Sequence, residues 1–299
     1  MSPADSDSAT ISKLLNLALF VWGAVVWWRF QFVSSTAQYR IRRLPSTTIS
    51  LTEFFYKAFV LFVGMILGAF ALLQLGHFAP HQWTVDPSFN LFASNIGLDF
   101  GGVAALLACR KTPQWVLPYP KLNLEAFGQI QNRERLPQET VAPPLPRNQI
   151  LKAGVFTYFA ATAAVMVVQP IWLFLLDKFH IDAPRQPVVD VLQGHHPLGI
   201  FLLAGFLAVV LAPIGEEMVF RAGLFRYIQQ ILPRWAAFLI SAVLFGAMHL
   251  SLSASVSLIV FAYVLSLSYE RTGRISVPMI AHGLFNLTSL IGVLLGWDS

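Results

Sequence analysis

The chain has a single cysteine, Cys109, so no intramolecular disulfide can form, and no CxxC or Cys/His cluster is present to hold a structural zinc. Charge is scarce as well. Only 12% of the 299 residues are Asp, Glu, Lys or Arg, against about 25% in an average soluble domain. That scarcity excludes a disordered tail, a coiled coil and most soluble enzymes. P-loop, nucleotide fingerprint and HExxH are also missing. What fills the chain is apolar: 56% of residues are hydrophobic and the mean hydropathy is +0.63, more than a water-facing surface tolerates. The solvent must be largely lipid. A net charge of +5 and a pI near 9.5 do not point to nucleic acid, because the basic residues are scattered between apolar runs and not massed on one segment.

A transmembrane helix needs about 20 mostly apolar residues. Eight such stretches occur, at 14–33, 54–76, 91–109, 152–176, 198–220, 235–252, 254–270 and 276–296. The predicted fold is all-α, a polytopic transmembrane bundle of about eight spans. Threading them alternately through a bilayer puts all but three of the 20 Lys and Arg on one face, with Lys13, Lys178 and Arg185 opposite. By the positive-inside rule the basic face is cytoplasmic, which places both termini on the far side. Trp27, Trp28 and Arg29 follow the first apolar run where a small-residue cleavage site would stand, so that span is read as retained and not as a signal peptide. Residues 1–112 then form three N-terminal spans. Residues 113–150, rich in proline with mixed charges, form a cytoplasmic linker, and 151–299 form a five-span core. No internal repeat of the transporter kind is present.

Residues 211–225, LAPIGEEMVFRAGLF, place two carboxylates and an arginine in an apolar stretch, where each charge costs about 2.5–3.5 kcal/mol on insertion scales. Glu217 and Arg221 are four apart, on one helix face, and can pair. Glu216 is left over, about 100° round the helix and level with Phe220 at the four-residue spacing. A carboxylate with no local partner inside a membrane protein is a functional candidate. Pro213, just upstream, cannot donate to the preceding turn and loosens the helix there. Two further spans carry polar groups: His249 lies one turn after Phe245, and His282 and Asn286 lie four apart on one face. Taken singly, each histidine reads as a hydrogen-bonded interior residue. Together with Glu216 they supply what amide hydrolysis requires: a base for water, nitrogen ligands suited to Zn2+ or a similar divalent ion, and a donor for the developing oxyanion.

These residues resemble the CPBP family of intramembrane endopeptidases, which includes CAAX prenyl proteases and bacteriocin-processing enzymes. Glu216, Glu217 and Arg221 match its EExxxR motif, Phe245 and His249 match FxxxH, and His282 and Asn286 match HxxxN. The likeness covers about residues 198–296. One departure is visible: Ala222 stands directly after the motif arginine, where members commonly have glycine, and Gly223 follows. The resemblance implies an integral enzyme of a prokaryotic cell membrane or the endoplasmic reticulum, with a wet cavity open to the cytoplasmic side. It also implies a peptide or protein substrate at the membrane, a prenylated one included. On this reading Glu216 is the general base, His249 and His282 sit at the metal or water site, Asn286 steadies the tetrahedral intermediate, and Glu217, Arg221 and Phe245 give structural support. A divalent metal, Zn2+ in the first instance, would be held by His249 and His282; were Glu216 a third ligand, it could not also be a free base. A metal-free glutamate mechanism stays open.

Depth poses a difficulty. At 1.5 Å per residue, His249 lies about 21 Å from the start of its span and His282 about 9 Å from the start of its own. They meet only if the last helix starts deeper, near Pro278, and if the Glu216 helix continues past Arg221 towards Pro233. Other polar residues are given structural readings: His77 and His81 and the pair His195 and His196 as loop residues, Asp99, on one face of the third span with Asn95, as making an interhelical hydrogen bond in preference to touching the cavity, Gly64 and Gly68 as a packing motif. Two rival functions use the same centre. One is a catalytically silent membrane scaffold or toxin-immunity protein; the other, disfavoured by the missing repeat, is a transporter.

Overall fold

In a computed structural model the chain is described at residues 3–32, 43–44, 51–78, 89–108, 143–183 and 198–294. Among the described residues eight helical rods follow one another: α1 (Pro3–Phe32), α2 (Leu51–Gly76), α3 (Phe89–Ala108), α4 (Ile150–Lys178), α5 (198–231), α6 (Arg234–Met248), α7 (Leu252–Thr272) and α8 (Ser276–Leu294). No strand occurs among the described residues. Among the described residues five rods, α2, α4, α5, α7 and α8, contain stretches long and apolar enough to cross a bilayer. Apolar side chains line the outside of these rods. Phe55, Phe59, Phe62 and Phe70 of α2 are exposed, as hydrocarbon surroundings permit. The proline-rich stretch 113–142, His81, His195, His196 and the side chains of Asn95 and Asp99 lie outside the described residues.

Glycine decides the tightest contact. On α2 and α3, Gly64 and Gly68 face Gly97 and Gly101, and a Cβ on Gly68 would overlap the Gly97 carbonyl oxygen while one on Gly101 would overlap that of Gly64. The small-residue motif expected on α2 is therefore a packing device with a matching motif on α3. Replacing Gly101 with Val must force the two backbones apart. We expect a loss of about 1–3 kcal/mol from overpacking, read as a lowered midpoint of thermal unfolding in detergent.

The rear of the chain holds the core. Tyr158 and Ala161 of α4, Ala242 and Phe245 of α6, Phe261, Ala262 and Leu265 of α7 and Ala281 of α8 form one buried cluster. α1 joins this group: Gly23 abuts Ala163, and Trp27 Nε1 donates to Ala160 O at 2.9 Å. α3 leans on α5, where Gly215 faces Val103.

Two boundaries differ from those expected. The fifth span does not stop at 220; its helix continues to Ile231, where Leu232 is extended before Pro233, the backbone region proline imposes on the residue ahead of it. The sixth does not reach 252. α6 is only 15 residues, about 22 Å, too short for a full crossing of about 30 Å. It ends at Met248, and Leu250 turns the chain with φ 50° directly into α7. Gly246 permits the close hairpin, since a Cβ there would meet Ile259 Cγ1 at 2.8 Å and Ser255 O at 3.0 Å.

Candidate active site

These boundaries remove the depth difficulty. Glu216 and His249 stand nearly equal distances before and after the 232–233 turn, so the hairpin of α5 and α6 brings them level. α8 starts at Ser276 and not at Pro278, yet His282 still lies deep: its ring packs at 5.2 Å on Phe261, in the middle of α7. Counted along the two helices, that contact offsets α8 from α7 by about 7 Å.

α5 presents its two acids from a short α-helical stretch, Ala212–Glu217, between two π-helical segments, Leu207–Leu211 and Met218–Phe225. Such bulges take an extra residue into a turn and are frequent at functional sites. The first can be traced to Pro213. Ala212 N–H donates five residues back, to Leu207 O; in that register the next donor is Pro213, which has no N–H for Ala208 O. Another helix satisfies the orphan carbonyl, because Asn286 Nδ2 donates to Ala208 O at 2.8 Å. Gly283 lets the two helices come this close: a Cβ there would lie 2.6 Å from Val209 O. Asn286→Ala leaves the carbonyl unsatisfied again. The expected cost is about 1–3 kcal/mol, measured by denaturant unfolding in detergent.

Glu217 and Arg221 form the base of the site, both wholly buried. Arg221 Nη1 lies 3.0 Å from Glu217 Oε1, Nη2 donates to Ala262 O at 3.4 Å, and the guanidinium sits 4.4 Å from the Phe245 ring centroid. The pair expected from the four-residue spacing is present. Arg221, threaded above onto the basic face, is instead buried beside its acid, because only there is its charge compensated. Glu217 also has a second task. Its Oε1 accepts from His282 Nδ1 at 2.9 Å, so one oxygen ties the arginine to the imidazole.

The ring nitrogens follow from their partners. His249 Nδ1 is 2.8 Å from Phe245 O, which can only accept, so Nδ1 carries the proton and donates. At His282 the acceptor is a carboxylate paired with arginine, and the same tautomer results. With Nδ1 as the donor, Nε2 is the acceptor atom of each ring's neutral tautomer. Glu216 Oε2 lies 4.0 Å from His249 Nε2 and 3.8 Å from His282 Nε2, and it is buried with no hydrogen-bond partner. Three atoms able to accept thus converge, an arrangement suited to a donor or a cation shared among them. Glu216 and His249 are each 29% exposed while Glu217 is 0%, so of the two neighbouring acids only Glu216 can meet a substrate.

Glu216, His249 and His282, expected at one centre, are brought together. Phe245 backs them, edge-on to Phe220 and tilted against His249. Asn286 sits one turn from His282 with one amide N–H committed to Ala208. Sequence reading missed Phe261, the Phe245 carbonyl and the grip of Glu217 on His282; the last had a signal, since adjacent acids about 100° apart can hold the two nitrogens of one imidazole. His77 is exposed beyond the end of α2, as a loop residue should be. For a divalent ion the donor chemistry fits: two Nε2 atoms, each oriented by a hydrogen bond at its other nitrogen, and a carboxylate oxygen facing both. Among the described residues, however, no group of three His, Cys, Asp or Glu side chains is closed to ligand geometry.

Comparison with known proteins covers the stretch of chain that carries these residues. A family model described as "Rce1-like: Type II CAAX prenyl endopeptidase Rce1-like" matches residues 198–288, which contain all the residues of the site. Over 158 residues the chain is 34% identical to UPF0177 protein YbdI of Lactococcus lactis subsp. lactis (strain IL1403), covering 47% of this chain and 84% of that one. Over 101 residues it is 33% identical to the protein named "Putative membrane peptidase YdiL" of Bacillus subtilis (strain 168), covering 34% of this chain and 39% of the relative. No solved structure matches.

Proposed function

Because this chain belongs to the CPBP family of intramembrane endopeptidases, we propose that it is an integral membrane protease in which Glu216 activates water against a peptide bond. One observation carries the reading: two imidazole Nε2 atoms within 4.0 Å of a buried carboxylate oxygen that has no hydrogen-bond partner. A water there donates to Glu216 and to one imidazole. Glu216 takes one of its protons as the oxygen attacks the carbonyl carbon. The second amide N–H of Asn286, its plane fixed by the bond to Ala208 O, donates to the oxyanion. Collapse breaks the C–N bond, and the proton held by Glu216 passes to the leaving nitrogen. A divalent ion, if bound, would be held by Nε2 of His249 and His282 and would supply carbonyl polarisation and a more acidic water.

The substrate class is a peptide or protein at the membrane, a prenylated tail included, entering from the face that carries most Lys and Arg. The test is terminal proteomics of membranes from cells carrying the wild type or Glu216→Gln. An uncut precursor should accumulate with the variant; identical termini in both would overturn the reading.

A further inference from the structure

Each of the two π-helical segments of α5 lends one backbone carbonyl to a side chain from another helix. In Leu207–Leu211, Ala208 O accepts from Asn286 Nδ2 at 2.8 Å; in Met218–Phe225, Phe220 O accepts from Ser241 Oγ at 3.2 Å. A π-turn loosens the helix's own ladder, so a carbonyl there is open to an outside donor. Asn286 stands on α8, one turn from His282, and Ser241 stands on α6, two turns before His249. One tie lies ahead of the Glu216–Glu217 pair and the other beyond it. Each helix that carries an imidazole is therefore pinned to the helix that carries the acids.

Ser241 is only 1% exposed, so its hydroxyl can touch no substrate. What the tie sets is register. α5 and α6 run antiparallel, and Phe220 follows Glu216 by one turn as Phe245 precedes His249 by one turn. Beside the tie the Phe220 ring meets Phe245 at 5.1 Å, and Phe245 meets His249 at 4.7 Å. A misplacement of about 1 Å at a reacting centre can cost about 10²-fold in rate, so the register of α6 bears directly on turnover. We propose that Ser241 is a positioning residue of the protease: by holding Phe220 O it keeps α6 at the register that brings His249 Nε2 within reach of the water that Glu216 activates. This rests on the reading of Glu216 as the base.

The test is single-turnover cleavage of a labelled membrane peptide by the full-length protein in detergent, with enzyme in excess and below the unfolding midpoint of every variant. Ser241→Ala leaves Phe220 O without its donor. Its maximal rate constant should fall about 10–10²-fold, with half-saturation unchanged. Ser241→Thr keeps the hydroxyl and should recover most of the rate; Ser241→Cys, of similar size and a weaker donor, should fall between. Tyr158→Phe removes an interhelical hydrogen bond that does not involve α5, Tyr158 Oη with Thr288 Oγ1 at 2.7 Å, and should leave the rate constant unchanged. A wild-type rate constant in Ser241→Ala, a change confined to half-saturation, or an equal fall in Tyr158→Phe would each overturn the proposal. Should Ser241→Thr be too crowded to fold, Ser241→Cys decides the rescue. Glu216→Gln in the same assay separates the two readings: if it is inactive while Ser241→Ala cleaves like the wild type, the positioning role alone falls, and if it cleaves at the wild-type rate, both fall.

Discussion

Glu216→Gln is expected to lower kcat for a membrane peptide substrate by about 10²–10⁴-fold, the usual contribution of a positioned general base, if Glu216 acts as proposed. The amide keeps the size and one acceptor of the carboxylate and loses only the ability to take a proton. Stability should barely change, by under about 0.5 kcal/mol, because Glu216 Oε2 has no hydrogen-bond partner to lose and the side chain is partly exposed. Single-turnover cleavage of a labelled peptide by purified protein, paired with a thermal unfolding curve, separates the two effects. A variant that cleaves at the wild-type rate removes Glu216 from the chemistry.

Arg221→Met produces the largest expected loss of stability, about 3–5 kcal/mol, because it leaves Glu217 charged, fully buried and without its cation. The loss of stacking on Phe245 adds to it. Adding Glu217→Gln should restore most of the stability, since a neutral pair of similar volume needs no compensation in an apolar surrounding. That double variant tests the electrostatic cause directly: if it unfolds as readily as Arg221→Met alone, packing and not charge governs the position. Denaturant titration in a mild detergent measures both.

Much of the architecture was legible because lipid imposes a simple rule. Apolar runs of about 20 residues had to be helices, and eight rods stand close to where those runs lie. The two misplaced boundaries have a common origin. Hydropathy does not distinguish a chain that continues through the membrane from one that turns inside it when both flanks are apolar. FGAMHLSLSASV carries no charge to mark the turn at Leu250, and in LFRYIQQIL the polar Arg226, Gln229 and Gln230 break the apolar run before the helix ends at Ile231. Pro233 was the better punctuation for α5, and Gly246 for the α6–α7 hairpin.

By itself the sequence determined the chemistry available: an unmatched acid beside a matched one, two imidazoles and an amide on separate helices, in the order and spacing of a known peptidase family. Residue identity and helical period suffice for that, because both are local. Only the tertiary structure decided which atoms meet. The grip of Glu217 on His282, the tie from Asn286 to the carbonyl left over by Pro213, and the convergence of two Nε2 atoms on Glu216 all depend on helix lengths and offsets. Those follow from how side chains of distant segments pack, and no spacing within one segment encodes them.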